Sequence, residues 1–96
     1  MRELDFYNWL TNNNTPKKLC SDYISRFKRL EHSLLNCDID EEYKKDKCIS
    51  LLDLFDKSGQ NEKMTSRHIG NLPIGRYYLA TYKYAINKYL KFLNFN

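Results

Sequence analysis

Apolar residues recur along this chain at steps of three and four, the period of one face of an α-helix. No stretch alternates apolar and polar residues as a half-buried strand does, and the chain contains no Val. The pattern predicts an all-α fold. Phe6, Trp9 and Leu10 mark a first short helix from about Leu4 to Leu10. Asn12-Asn13-Asn14 ends it, because Asn side chains compete with the helix for nearby backbone groups. A second helix starts at Thr15-Pro16, with Thr as the N-cap and Pro at the first helical position, where its missing N–H costs nothing. Leu19, Tyr23, Phe27, Leu30 and Leu34 form its apolar stripe to about Leu35, opposite Ser25, Arg26, Lys28, Arg29 and His32.

Asp38 or Asp40 caps the third helical region, and Glu41 and Glu42 fall in its first turn, where the helix dipole favours anions. Tyr43, Leu51, Leu54 and Phe55 are its predicted core face. Asp46 is placed to cap a second short helix, so this region is either one helix or two. Lys57-Ser58-Gly59 stops it. Residues 59–75, with Gly59, Gly70, Pro73 and Gly75, read as a long polar loop with room for one helical turn. The last helix begins near Gly75 or Arg76. Leu79, Tyr82, Ile86, Tyr89, Leu90 and Leu93 are its buried stripe, while Lys83, Tyr84, Asn87, Lys88 and Lys91 share the opposite arc. Leu30, Leu54, Ile86 and Leu90 are the predicted centre of the core.

Ninety-six residues, 42% of them apolar and 15% aromatic, predict one globular domain spanning 1–96, a compact bundle of four to five helices. No apolar run approaches the roughly 18 residues of a membrane span, and no apolar h-region follows Met1-Arg2-Glu3-Leu4-Asp5. Three widely spaced cysteines, Cys20, Cys37 and Cys48, fit reduced thiols better than a disulfide framework. These features predict a cytoplasmic protein without a membrane anchor.

The net charge is +4 and is unevenly distributed. Residues 36–62 hold eight acidic and four basic groups, whereas residues 63–96 hold six basic groups and no acid. Either the acidic block folds against the basic tail and cancels it, or the tail is an interaction surface.

Little in the sequence supports catalysis. His32, Cys37, Cys48 and His68 lack the short paired spacing of structural zinc sites. Cys37 and His32 have no predictable third partner for nucleophilic catalysis, and capping accounts for Asp38, Asp40, Glu41 and Glu42. Gly70 and Gly75 are isolated, so no phosphate-cradling glycine loop is present. The expectation is a protein that is not an enzyme and takes no cofactor and no metal. What remains is the basic, tyrosine-bearing last helix. Lysine and arginine neutralise phosphates, and tyrosine donates to phosphate or stacks on exposed bases. The candidate contact residues are Lys83, Tyr84, Asn87, Lys88 and Lys91, with Arg67 and Arg76 flanking the preceding loop and Arg26, Lys28 and Arg29 on the second helix beside Lys17 and Lys18. The other reading of these positions is an ordinary solvated face.

The order of motifs resembles the N-terminal core-binding, SAM-like domain of phage integrases and other tyrosine recombinases. An aromatic first helix, Phe6-Tyr7-Asn8-Trp9-Leu10, precedes a Thr-initiated helix, Thr15-Pro16 through Tyr23-Ile24-Ser25-Arg26-Phe27. The last helix, Tyr84-Ala85-Ile86-Asn87-Lys88-Tyr89-Leu90-Lys91-Phe92-Leu93, matches the family's run of small and apolar residues, a basic residue and spaced aromatics. The resemblance implies a helical domain that grips one side of a DNA duplex through its phosphates. The family's catalytic arginines, histidines and tyrosine nucleophile have no counterpart in these residues, so only binding carries over. Three roles follow: a DNA-binding module from a phage or mobile element; an anti-CRISPR-like inhibitor or adaptor that docks on a host defence nuclease or its ribonucleoprotein; or an oligomer joined by exposed aromatics such as Phe92 and Phe95.

Overall fold

The computed structural model describes residues 1–95. Six α-helices follow one another: α1 (Glu3–Asn12), α2 (Lys17–Ser33), α3 (Ile39–Asp46), α4 (Ile49–Asp53), α5 (Glu62–Arg67) and α6 (Ala80–Phe95). Short 3-10 turns at Asp56–Gly59 and Tyr77–Leu79 lead into α5 and α6. Among the described residues there is no strand, only an isolated antiparallel bridge between Leu34 and His68. The all-α prediction holds, with more helices than the four to five expected.

The extra helices have local causes. Asp38 caps α3, its carboxylate accepting from the Asp40 and Glu41 amides at 3.0 and 3.2 Å. Lys47 and Cys48 then take left-handed φ values of 57° and 66°, a conformation that costs a non-glycine residue roughly 1–2 kcal/mol. The chain restarts as α4, where the Asp46 carboxylate accepts from the Ser50 amide at 3.1 Å. In the predicted loop, Asn61 caps α5 by accepting from the Met64 amide at 2.9 Å, while its own amide donates to the Leu54 and Asp56 carbonyls. That full set of bonds makes helix where Gly and polar residues read as loop.

Two helix starts differ from the sequence reading. Pro16, with ψ 144°, is the N-cap of α2, and no side chain caps that end. The Thr15 amide donates to the Leu10 carbonyl at 3.0 Å, so Thr15 closes the α1–α2 turn instead. Helix α6 begins at Ala80 rather than at Gly75 or Arg76, because Tyr77–Leu79 winds as a 3-10 turn first.

The core lies where α6 crosses α1 and α2. Phe6 and Leu10 of α1, Cys20, Phe27 and Leu30 of α2, and Ile86, Tyr89 and Phe92 of α6 are all buried there. Leu30, Leu54 and Ile86 are core as expected, whereas Leu90 is half-buried. Leu19 is 37% exposed, and Cys20 begins the buried stripe of α2 in its place. Phe92 is 3% exposed under α1 and is unavailable as an exposed oligomer contact; Phe95, 73% exposed, stays outside. Gly70 lets the segment after α5 lie against the end of α2: a Cβ there would meet the Ser33 backbone at 2.7 Å.

The three cysteines are free thiols, and no helix among the described residues is long and apolar enough to cross a membrane. Burial first, then neighbouring carboxylates including Glu42, pushes the thiols of Cys37 and Cys48 from 9.0 up to about 12. The unfolded thiols ionise near 9.0 and the folded ones only near 12. Stability from keeping them neutral is therefore complete below pH 9.0 and lost as pH rises through 12. Thermal melts should show a midpoint falling over this alkaline window, with a shallower fall in Cys37→Ala. Equal slopes for the two proteins would show that the Cys37 thiol does not contribute.

Candidate functional site

Helix α6 is amphipathic because its inward positions meet two helices at once. Tyr82, Ala85, Ile86, Tyr89 and Phe92 are buried, which leaves Lys83, Tyr84, Asn87 and Lys91 exposed, with Lys88 at the edge. Tyr84, Asn87, Lys88 and Lys91, together with Leu90 and Asn94, line one open cleft of about 440 Å³. Positions 84, 88 and 91 follow one helical row, about 10 Å from end to end at 1.5 Å per residue.

Side chains of the other helices fix this face at its margins. The Tyr84 ring stacks on Tyr23 of α2, centroids 6.4 Å apart and planes 11° from parallel. The Lys88 ammonium lies 5.9 Å from the centre of the Trp9 ring of α1, within cation–π range. Asn94 accepts from the Tyr43 hydroxyl of α3 at 2.9 Å. On the inner side, the Tyr89 hydroxyl accepts from the Arg2 amide at 2.8 Å and donates to Asp40 at 2.7 Å.

The predicted contact residues fall into separate groups. Lys83, Tyr84, Asn87, Lys88 and Lys91 come together on α6. Arg26 and Arg29 line a neighbouring cleft of about 230 Å³ with Asp22, Ser25 and Tyr82, and Arg29 donates to the Tyr82 hydroxyl at 3.3 Å. Arg76 is exposed just before the Tyr77–Leu79 turn. Two candidates point elsewhere. Lys28 pairs with Glu3 at 3.1 Å, and Arg67 pairs with the buried Glu42 at 2.9 Å while also donating to the Leu35 carbonyl.

The charge pairing answers whether the acidic block cancels the basic tail. Asp40 meets the Met1 amine at 3.1 Å, Glu41 meets Lys44 at 3.5 Å, and Glu42 meets Arg67. Among the described residues, Lys83, Lys88 and Lys91 form no ion pair. The tail supplies Arg67 to the acidic block, and Lys63 to Asp53 at 3.8 Å, but none of the lysines of α6.

Sequence reasoning assigned Trp9, Tyr23 and Tyr82 to the core alone; each also borders the outer face. Their spacing carries the signal only for burial. Tyr77 and Tyr78 were legible as polar-capable aromatics ahead of a basic helix, yet were not singled out. Among the described residues, no three His, Cys, Asp or Glu side chains gather as a metal ligand set. No protein-family model, curated protein or solved structure matches this chain.

Proposed function

We propose that this protein is a small, non-catalytic nucleic-acid-binding module that holds a phosphate backbone on the outer face of α6. The observation that carries the reading is the unpaired state of Lys83, Lys88 and Lys91 among the described residues, while the ion pairs lie elsewhere on the molecule. An exposed helix ordinarily gains a few tenths of a kcal/mol from each Glu–Lys pair one turn apart. Helix α6 has no acidic residue with which to form one. Its lysines are left for an external anion, with Asn87 and the Tyr84 hydroxyl beside them as hydrogen-bond donors. The likeness of the helix order to recombinase core-binding domains supports the same kind of grip, and an origin in a phage or mobile element belongs to the same proposal.

Fluorescence anisotropy with labelled DNA at two salt concentrations tests it. Affinity should fall steeply with salt, and Lys83→Glu, Lys88→Glu and Lys91→Glu combined should flatten the log–log slope by about 2–3. Lys83 and Lys91 are exposed and Lys88 sits at the edge of the face over Trp9, and none of the three is in the core, so the fold should survive. A triple variant with unchanged affinity and slope would overturn the reading. Salt-sensitive capture of an acidic protein without any DNA binding would replace it with the inhibitor or adaptor role.

A further inference from the structure

We infer that the ligand of this face is single-stranded nucleic acid, its unpaired bases stacking on Tyr77 and Tyr84 while the neighbouring lysines and arginines hold the backbone. This rests on the phosphate-binding reading above and specifies its substrate class.

The observation behind it is the placement of aromatic rings that burial does not explain. Tyr77 is 91% exposed and Tyr84 63% exposed. Tyr89 of the core, by contrast, is 0% exposed. Each of the two exposed tyrosines touches another ring. Tyr77 meets its chain neighbour Tyr78 edge-on at 5.8 Å, and the Tyr84 ring, 63% exposed, stacks on the buried Tyr23 with centroids 6.4 Å apart. A ring held this way meets a base with little further loss of side-chain freedom.

The spacing relates the rings to the cations. Tyr84, Lys88 and Lys91 follow steps of four and three along one side of α6, and Tyr77 lies in the 3-10 turn that leads into it. Along the row, Tyr84 comes before Lys88 and Lys91, with Tyr77 ahead of the helix. In the separate α2 cleft, Arg29 donates to the Tyr82 hydroxyl at 3.3 Å. From Arg76 to Phe95 the exposed side chains are basic residues, tyrosines, asparagines, Ala80 and Phe95.

A duplex keeps its bases stacked inside the helix and offers these rings only phosphates. A single strand offers the flat face of each base, and stacking on an aromatic side chain is worth roughly 5- to 150-fold in affinity per base. Rings and cations brought onto one surface, indifferent to which base arrives, are the features a single strand uses.

The test compares the full-length chain with a fluorescent oligo-dT strand and with a duplex of the same length. The single strand should bind at least about tenfold tighter. Tyr77→Ala and Tyr84→Ala should each weaken single-strand binding by about fivefold or more, with the salt slope unchanged because no charge is lost. Phe at either position should retain most of the affinity, and circular dichroism melts should be close to those of the parent. Equal or tighter duplex binding, or Ala variants that bind the strand as the parent does, would overturn the inference. In that case a loss of duplex binding in the triple lysine variant still supports the phosphate grip. Failure of both oligonucleotides to bind would remove both proposals together.

Discussion

Arg67→Ala is expected to destabilise the fold by about 3–5 kcal/mol, because it strands a buried carboxylate. Glu42 faces inward from α3 with its side chain only 7% exposed, and Arg67 sits 2.9 Å from one of its oxygens. The other oxygen, Oε2, has no hydrogen-bond partner, so the guanidinium is the main compensation for that charge. Arg67 also donates to the Leu35 carbonyl from Nε at 3.3 Å and Nη2 at 2.9 Å, and the Leu35 amide donates back to the Arg67 carbonyl. One side chain thus ties the ends of α2 and α5 to α3. Lysine keeps the charge but lacks the planar fork, so Arg67→Lys should lose less than Ala and more than nothing. Glu42→Gln combined with Arg67→Ala should recover part of the loss by removing the stranded charge. Urea denaturation at neutral pH measures all three. A loss below about 1 kcal/mol for Arg67→Ala would mean that water screens the pair as it does at an open surface. The result also guards the functional assay, since weaker DNA binding by this variant would reflect unfolding and not a missing contact.

The example marks the boundary of what the sequence makes legible. The longer helices are legible because periodicity is local; the same local signals narrow the α3 cap to Asp38 or Asp40 and offer a restart at Asp46 as one of two readings, and the structure takes Asp38 and the restart. The burial register of α6 was only partly readable. Tyr82, Ile86 and Tyr89 stand out by spacing, but Phe92 falls outside the stripe that spacing picks out and is buried. Its cover comes from Phe6 and Trp9 of α1, with ring centres 5.5 and 5.8 Å away, and the sequence of α6 carries no information about them. Leu19 and Cys20 show the converse: hydropathy favoured Leu, whereas the position facing the core holds the small cysteine. At the candidate site, the absence of acid from α6 was plain in the sequence. Which cations were already engaged was not, because Glu3 with Lys28 and Glu42 with Arg67 are pairs between distant segments.

Phe6→Ala should cost a similar ~3–5 kcal/mol, by a different route. Phe6 is 0% exposed and stands at the junction of α1, α2 and α6. Its ring centre lies 5.0 Å from Tyr89, 5.5 Å from Phe92, 5.9 Å from Phe27, 6.3 Å from Trp9 and 6.5 Å from Tyr23. The Tyr89 and Phe27 contacts are edge-to-face, the arrangement that the ring quadrupole favours beyond simple burial. Removing the ring opens a cavity walled by other rings, whose rigid planes collapse poorly into it, so the cost belongs at the upper end for a large-to-small change. Against a total stability of about 5–15 kcal/mol for a domain of this kind, that is a large fraction. The melting midpoint should fall on the order of 15 °C or more. Phe6→Leu, which refills part of the volume, should fall much less. The functional consequence separates scaffold from surface. Phe6 touches only the inner side of α6, so at temperatures where Phe6→Ala is still folded it should bind nucleic acid with the parent's salt slope. A changed slope under those conditions would mean that the outer lysines depend on the packing of α1, and that the two faces of α6 are not independent.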